Sequence, residues 1–107
     1  MQRRKMKKFS LRRYIPSKDN EGNVIETYDD AIEDMAIIWP ASGRTQAMTY
    51  GLRLNYMINL NYYGALEMKE NDGLCINVDN TKEPDYKIVS IREYPKFKVI
   101  EAEKRIV

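Results

Sequence analysis

The stretch that decides the fold is Glu33–Tyr63, EDMAIIWPASGRTQAMTYGLRLNYMINLNYY. Two apolar runs flank a polar insert marked by Pro40, Gly43 and Gly51. In the second run Leu52, Leu54, Tyr56, Ile58, Leu60 and Tyr62 hold the even positions. Arg53, Asn55, Asn59 and Asn61 hold most of the odd ones. Alternation with period two places one row of side chains in a core and the other in water, which predicts a half-buried strand over Leu52–Tyr62. The first run, from about Met35 to Trp39, reads as a second strand that Pro40 ends, so the insert Pro40–Gly51 is a long loop between strands. Thr45–Tyr50 has the makings of one helical turn, too short to be stable without packing.

Working outward, Lys7–Ile15 alternates loosely around Phe9 and Leu11 and predicts a first strand ending at Pro16. Ser17–Asn23 is dense in turn residues, and Val24–Tyr28 reads as a short returning strand. Beyond Tyr63, Lys69–Gly73 is a turn, with Asp72-Gly73 supplying the residues tolerant of positive φ. Strands follow at Leu74–Val78, Tyr86–Glu93 and Phe97–Ile106, the last with a parity change between Val99 and Ile100 that reads as a bulge. Six or seven short strands with at most one short helix predict an all-β domain, an antiparallel barrel or sandwich.

The 107 residues fit one domain. Charge is nearly balanced overall, with 18 basic and 16 acidic residues, but it is unevenly placed. Residues 1–18 hold Arg3, Arg4, Lys5, Lys7, Lys8, Arg12, Arg13 and Lys18 and no acid. A basic arm on an acidic body suits contact with phosphate or an acidic partner; a solvated N-terminal tail over residues 1–6 is the equally weighted plain reading. No apolar run approaches the roughly 20 residues of a membrane span, and no signal-peptide pattern opens the chain, so an intracellular protein without a membrane role is expected.

The chemistry-bearing residues are sparse. There is no histidine, which removes the commonest general base and metal ligand. Cys75 is the single cysteine and reads as an unreactive thiol. Neither phosphate-binding glycine motif occurs. The acidic run from Asp19 to Asp34 aligns poorly with a calcium loop, since Ser17 and Tyr28 fall where carboxylate ligands are needed. We therefore expect no enzyme activity, no cofactor and no metal. Eight tyrosines stand against two phenylalanines. Tyr56 and Tyr62 share the core parity, while Tyr50 and Tyr63 are candidates for contact with a partner or with bases. A small nucleic-acid-binding β-barrel using the arm and exposed tyrosines is thus one functional reading.

A second comes from the order of the pieces. A basic first strand precedes the turn Asp19-Asn20-Glu21-Gly22 and the short strand Val24–Tyr28. An apolar strand ending in Trp39-Pro40, the insert Ser42-Gly43-Arg44 and a long strand follow, then Asp72-Gly73 and Tyr86–Ile91. From about Lys7 to Ile106 this resembles the head–tail joining proteins of tailed bacteriophages, also called head-closure or stopper proteins. Thr45-Gln46 stand where members often carry an acidic or aromatic residue. The resemblance implies a small β-barrel with a long loop between its second and third barrel strands. It also implies a hexameric or dodecameric ring of this chain below portal and adaptor proteins, which retains packaged double-stranded DNA and docks a tail terminator or tail-completion protein. The location implied is the head–tail interface of a siphovirus-like virion or prophage particle, assembled in the bacterial cytoplasm. The loop that would obstruct the channel falls on Pro40, Ser42, Gly43, Arg44, Thr45, Gln46, Met48, Thr49 and Tyr50. The basic residues Arg3, Arg4, Lys5, Lys7, Lys8, Arg12 and Arg13 are the candidate contacts to DNA or to an acidic neighbour.

Overall fold

A computed structural model describes residues 5–18 and 20–105. Eight strands form: β1 (Lys7–Arg12), β2 (Tyr14–Lys18), β3 (Val24–Tyr28), β4 (Ile32–Pro40), β5 (Met57–Tyr62), β6 (Gly73–Cys75), β7 (Tyr86–Glu93) and β8 (Lys98–Lys104). Six of them close into an antiparallel barrel in the order β1-β4-β5-β8-β7-β6, while β2 and β3 make a separate two-stranded ribbon. The insert between the second and third barrel strands, β4 and β5, holds the α-helix α1 (Arg44–Tyr50) and a 3₁₀ segment (Gly51–Tyr56). The small all-β barrel expected from the turn spacing and the resemblance is what forms.

Period-two patterning builds the core. Phe9 and Leu11 of β1, Ala36 of β4, Leu60 and Tyr62 of β5, Leu74 of β6, Ile88 of β7, and Ile100 and Ala102 of β8 point inward and are buried together. The Tyr62 ring meets Phe9 edge to face at 5.9 Å. Its hydroxyl donates to Asp34 Oδ2 and accepts the Leu66 amide at 2.9 Å, so the polar tip of a buried ring is satisfied at both ends.

Several boundaries differ from the sequence reading, each for a visible reason. The alternating run Leu52–Tyr62 is a strand only from Met57. β4 ends at Pro40, opposite Ile58, and β8 pairs with β5 from Met57 onward, so residues 52–56 have no neighbouring strand to complete a ladder. They coil as 3₁₀ instead, and Leu52 and Tyr56, expected in the core, lie on the surface. Pro16 does not end a strand: it sits in β2 opposite Glu26, in a two-stranded ribbon where a missing N–H need not break a ladder. β4 begins at Ile32 rather than Met35, and β6 stops at Cys75 rather than Val78. The irregularity expected in β8 lies in its partner, where Val89 is skipped between the pairs Ile88↔Ala102 and Ser90↔Glu101. The left-handed residue of the Lys69–Gly73 turn is Asn71, at φ 76°.

The ribbon is fixed at its base by Arg12. Its guanidinium donates to three carbonyls, Asp29 O at 2.8 Å, Lys82 O at 2.9 Å and Tyr28 O at 3.2 Å. The Tyr14 amide adds a bond to the buried Asp72 Oδ1 at 3.0 Å. The Arg105 guanidinium lies 4.9 Å from the Tyr28 ring centre. Asp72 also accepts the Lys69 amide, so one carboxylate ties the ribbon to the turn that feeds β6. At Gly73 the chain passes against Pro84 and Tyr28 so closely that a Cβ would overlap both. Gly73→Ala should therefore cost about 1–3 kcal/mol, read as a lowered urea midpoint with unchanged slope; an unaltered midpoint would contradict this packing.

Candidate functional site

The site is the β4–β5 insert and the patch of sheet beneath it. Gly43 at φ 98° and Gly51 at φ 57° bracket α1, both in the region that side-chain-bearing residues avoid. Within α1 the Ala47 amide donates to Gly43 O at 3.0 Å, the Thr49 hydroxyl to Thr45 O at 2.9 Å, and the Gly51 amide to Ala47 O. No side chain caps its N-terminus. Seven residues of helix are not stable alone, so something outside the helix must hold it.

That anchor is Gln46. Asn59 and Glu101 are cross-strand partners on β5 and β8, on the outward parity opposite to Leu60 and Ile100. Both are almost fully buried nonetheless, at 1% and 2% exposure. The Gln46 amide nitrogen donates to Asn59 Oδ1 and to Glu101 Oε2, each at 2.7 Å. Its oxygen accepts the Asn59 amide at 3.1 Å and the Ser42 backbone N–H at 3.0 Å. One glutamine thus satisfies Asn59 and one oxygen of Glu101, polar groups that its own segment covers. The other Glu101 oxygen, Oε1, has no hydrogen-bond partner among the described residues and faces Arg92 at 3.6 Å. Burial, followed by the Glu101 charge, pushes the Tyr50 phenol above its ordinary value, while Arg92 and Arg53 oppose this. Arg53 pairs with Glu103 at 2.6 Å, an exposed contact of small value.

The outward side of the insert is the reverse of this anchor. No residue of α1 or the 3₁₀ segment is buried. Met48, Leu52 and Tyr56 are 81%, 89% and 62% exposed. Of the residues expected to form the loop, Gln46 is the anchor and Ser42 its backbone partner. Pro40 is the last residue of β4, Gly43 a hinge, and Arg44, Thr45, Met48 and Thr49 are exposed.

Among the basic candidates, Arg3 and Arg4 lie outside the described residues. Lys5, Lys7, Lys8 and Arg13 are exposed, whereas Arg12 is engaged at the ribbon base. Lys8 pairs with Met35. The Tyr63 ring stacks on Phe97 at 5.4 Å, and Phe97 in turn stacks on Tyr94 at 5.2 Å. Sequence separation hid the Tyr63–Phe97 stack. Glu101 was also missed, although an acid within Val99-Ile100-Glu101-Ala102 was its visible trace. Cys75 is buried with its thiol pushed up by burial, as an unreactive cysteine would be. Among the described residues no group of three or more Cys, Asp or Glu side chains is placed to hold a metal ion.

The structure is similar to the solution structure of protein SF1141 from Shigella flexneri 2a, with a TM-score of 0.62 and 11% identity over 91% of this chain and 89% of that one. At that identity the likeness carries the fold alone. No protein-family model and no curated protein matches the sequence.

Two measurements check the anchor. Gln46→Ala should destabilise the protein by about 1–3 kcal/mol, because Asn59 and Glu101 lose their partner. The Ala47 and Gly51 amides should then exchange with solvent faster while those of the barrel strands keep their order of protection. Glu101→Gln should bring Tyr50 down toward 10.0 in a phenolate titration, because the charge that opposes its ionisation is removed while Arg92 and Arg53 remain.

Proposed function

We propose that this chain is a structural subunit of the head–tail connector of a tailed phage or prophage, a head-closure protein that forms a ring below the portal and adaptor. The observation that carries the reading is the insert. Between its second and third barrel strands the closed barrel presents 13 helical residues, none fully buried, that touch it mainly through polar contacts and leave Met48, Leu52 and Tyr56 exposed. Three large apolar side chains exposed on one short insert suit a surface that a partner covers in an assembly. The order of motifs resembling head-closure proteins supplies the kind of assembly, and in that family the corresponding loop lies toward the channel.

In this reading the barrel is the rigid body of the ring, and the insert lines or obstructs its opening. Arg44, Thr45 and Thr49 offer a charge and hydroxyl groups to a passing duplex, a sequence-independent contact suited to retention rather than recognition. The Gln46 anchor sets how far the insert stands off the barrel. The remaining partners are the portal and adaptor proteins on one side, a tail terminator or tail-completion protein on the other, and packaged DNA within.

A second reading, a single-strand nucleic-acid binder, is favoured by the exposed Lys5, Lys7 and Lys8 and by the stacked rings of Tyr63, Phe97 and Tyr94. Its acidic neighbours Glu33 and Glu93 weigh against it. One experiment separates the two. Purified chain is offered to portal–adaptor assemblies and to single-stranded DNA at low and high salt. The connector reading expects saturable binding to the assemblies, and weak DNA binding that salt abolishes. Tight single-strand binding that Tyr63→Ala reduces, with no binding to the assemblies by a folded chain, would overturn it.

A further inference from the structure

We infer that the insert is one half of a contact between copies of this chain, and that the other half is the acidic end of β4. The inference rests on the ring reading and names the surfaces that would build the ring. Residues 41–56 carry no acid and two bases, Arg44 and the Arg53 already paired with Glu103 of β8, whereas residues 25–40 carry five acids and no base. Each run also presents apolar side chains to solvent: Met48, Leu52 and Tyr56 on the insert, Ile32 and Met35 at 38% and 42% exposure on β4. Asp29, Asp30 and Glu33 are exposed beside these last two. A basic, apolar surface and an acidic, apolar surface are complementary.

They do not meet within one molecule. Met35, the patch residue nearest the insert, lies five strand residues before Pro40, a separation of about 17 Å. A second copy is the occupant that brings the right chemistry to both. Because one patch meets a different patch, the contact is heterologous and propagates head to tail, closing into a ring when the rotation per subunit allows. Lys8, opposite Met35, and Arg13, whose carbonyl accepts the Asp29 amide, border the acidic patch and limit its extent. The apolar centre is small, so a single contact is weak and gains strength from ring closure or from a platform that gathers the subunits.

The test uses two variants of the full chain whose substitutions lie on exposed side chains. The first, Met48→Asp with Leu52→Asp, disables the insert. The second, Glu33→Lys with Met35→Lys, disables the acidic end. Circular dichroism checks that both remain folded. Sedimentation velocity at low salt, up to millimolar concentration, should show wild-type chain associating and each variant associating about tenfold or more weakly. An equimolar mixture of the two variants should form dimers and stop there, since each copy keeps one working half. Salt should weaken all of these contacts.

Wild-type association that neither variant alters overturns this interface and leaves the connector reading standing. A mixture that stays monomeric overturns the head-to-tail pairing, and a wild-type chain that remains monomeric throughout overturns the inference outright. Failure to bind portal–adaptor assemblies while self-association persists overturns the connector reading alone.

Discussion

The barrel depends on a closure made through three residues. Gly73, Leu74 and Cys75 of β6 pair with Arg12, Leu11 and Ser10 of β1, while Gly73 and Leu74 also pair with Lys87 and Tyr86 of β7. Without that bridge β1 and β7 would be open edges, available to any other strand. The bridge is reinforced on all sides. Leu74 fills the interior beside Leu11 and Ile88, Cys75 is buried on the outer face with its sulfur 3.8 Å from the Lys82 carbonyl, and Asp72 just before it holds both the ribbon and the turn. Asp85 accepts the Ile76 and Asn77 amides at 2.8 and 3.0 Å, satisfying the backbone where the strand ends. A short strand thus replaces extended pairing with dense local hydrogen bonding.

Closure leaves the insert as surplus, and the physics of the insert then explains its form. A segment with no strand beside it cannot satisfy its backbone as a ladder, so it turns to helical bonding. The helix is too short to persist unaided, and a single glutamine holds it against two polar groups buried on the outer wall. Polar anchoring rather than apolar packing leaves Met48, Leu52 and Tyr56 free for something else. An assembly component gains a contact surface whose position is set by a specific network.

The all-β architecture was legible because alternation in β1, β5 and β7 reports directly on which face is buried. The position of the long insert was equally legible from Pro40, Gly43 and Gly51. Leu52, Leu54 and Tyr56 misled for the same reason that Leu60 and Tyr62 informed: alternation describes a strand only where a partner strand exists, and partners are set by the register of distant segments. Pro16 misled because a two-stranded ribbon tolerates what a central strand does not. The Gln46–Asn59–Glu101 network joins residues 13 and 55 positions apart, a juxtaposition that no local pattern encodes. The Tyr63–Phe97 stack has the same origin.

As the ring subunit proposed above, this barrel would direct its insert at a DNA channel. Electron cryomicroscopy of the junction assembled from portal, adaptor and this chain tests it most directly. The account predicts a ring of small barrels beneath the adaptor with residues 41–56 directed at the axis. A junction that forms without the barrel, or a ring whose inserts point away from the channel, would contradict it.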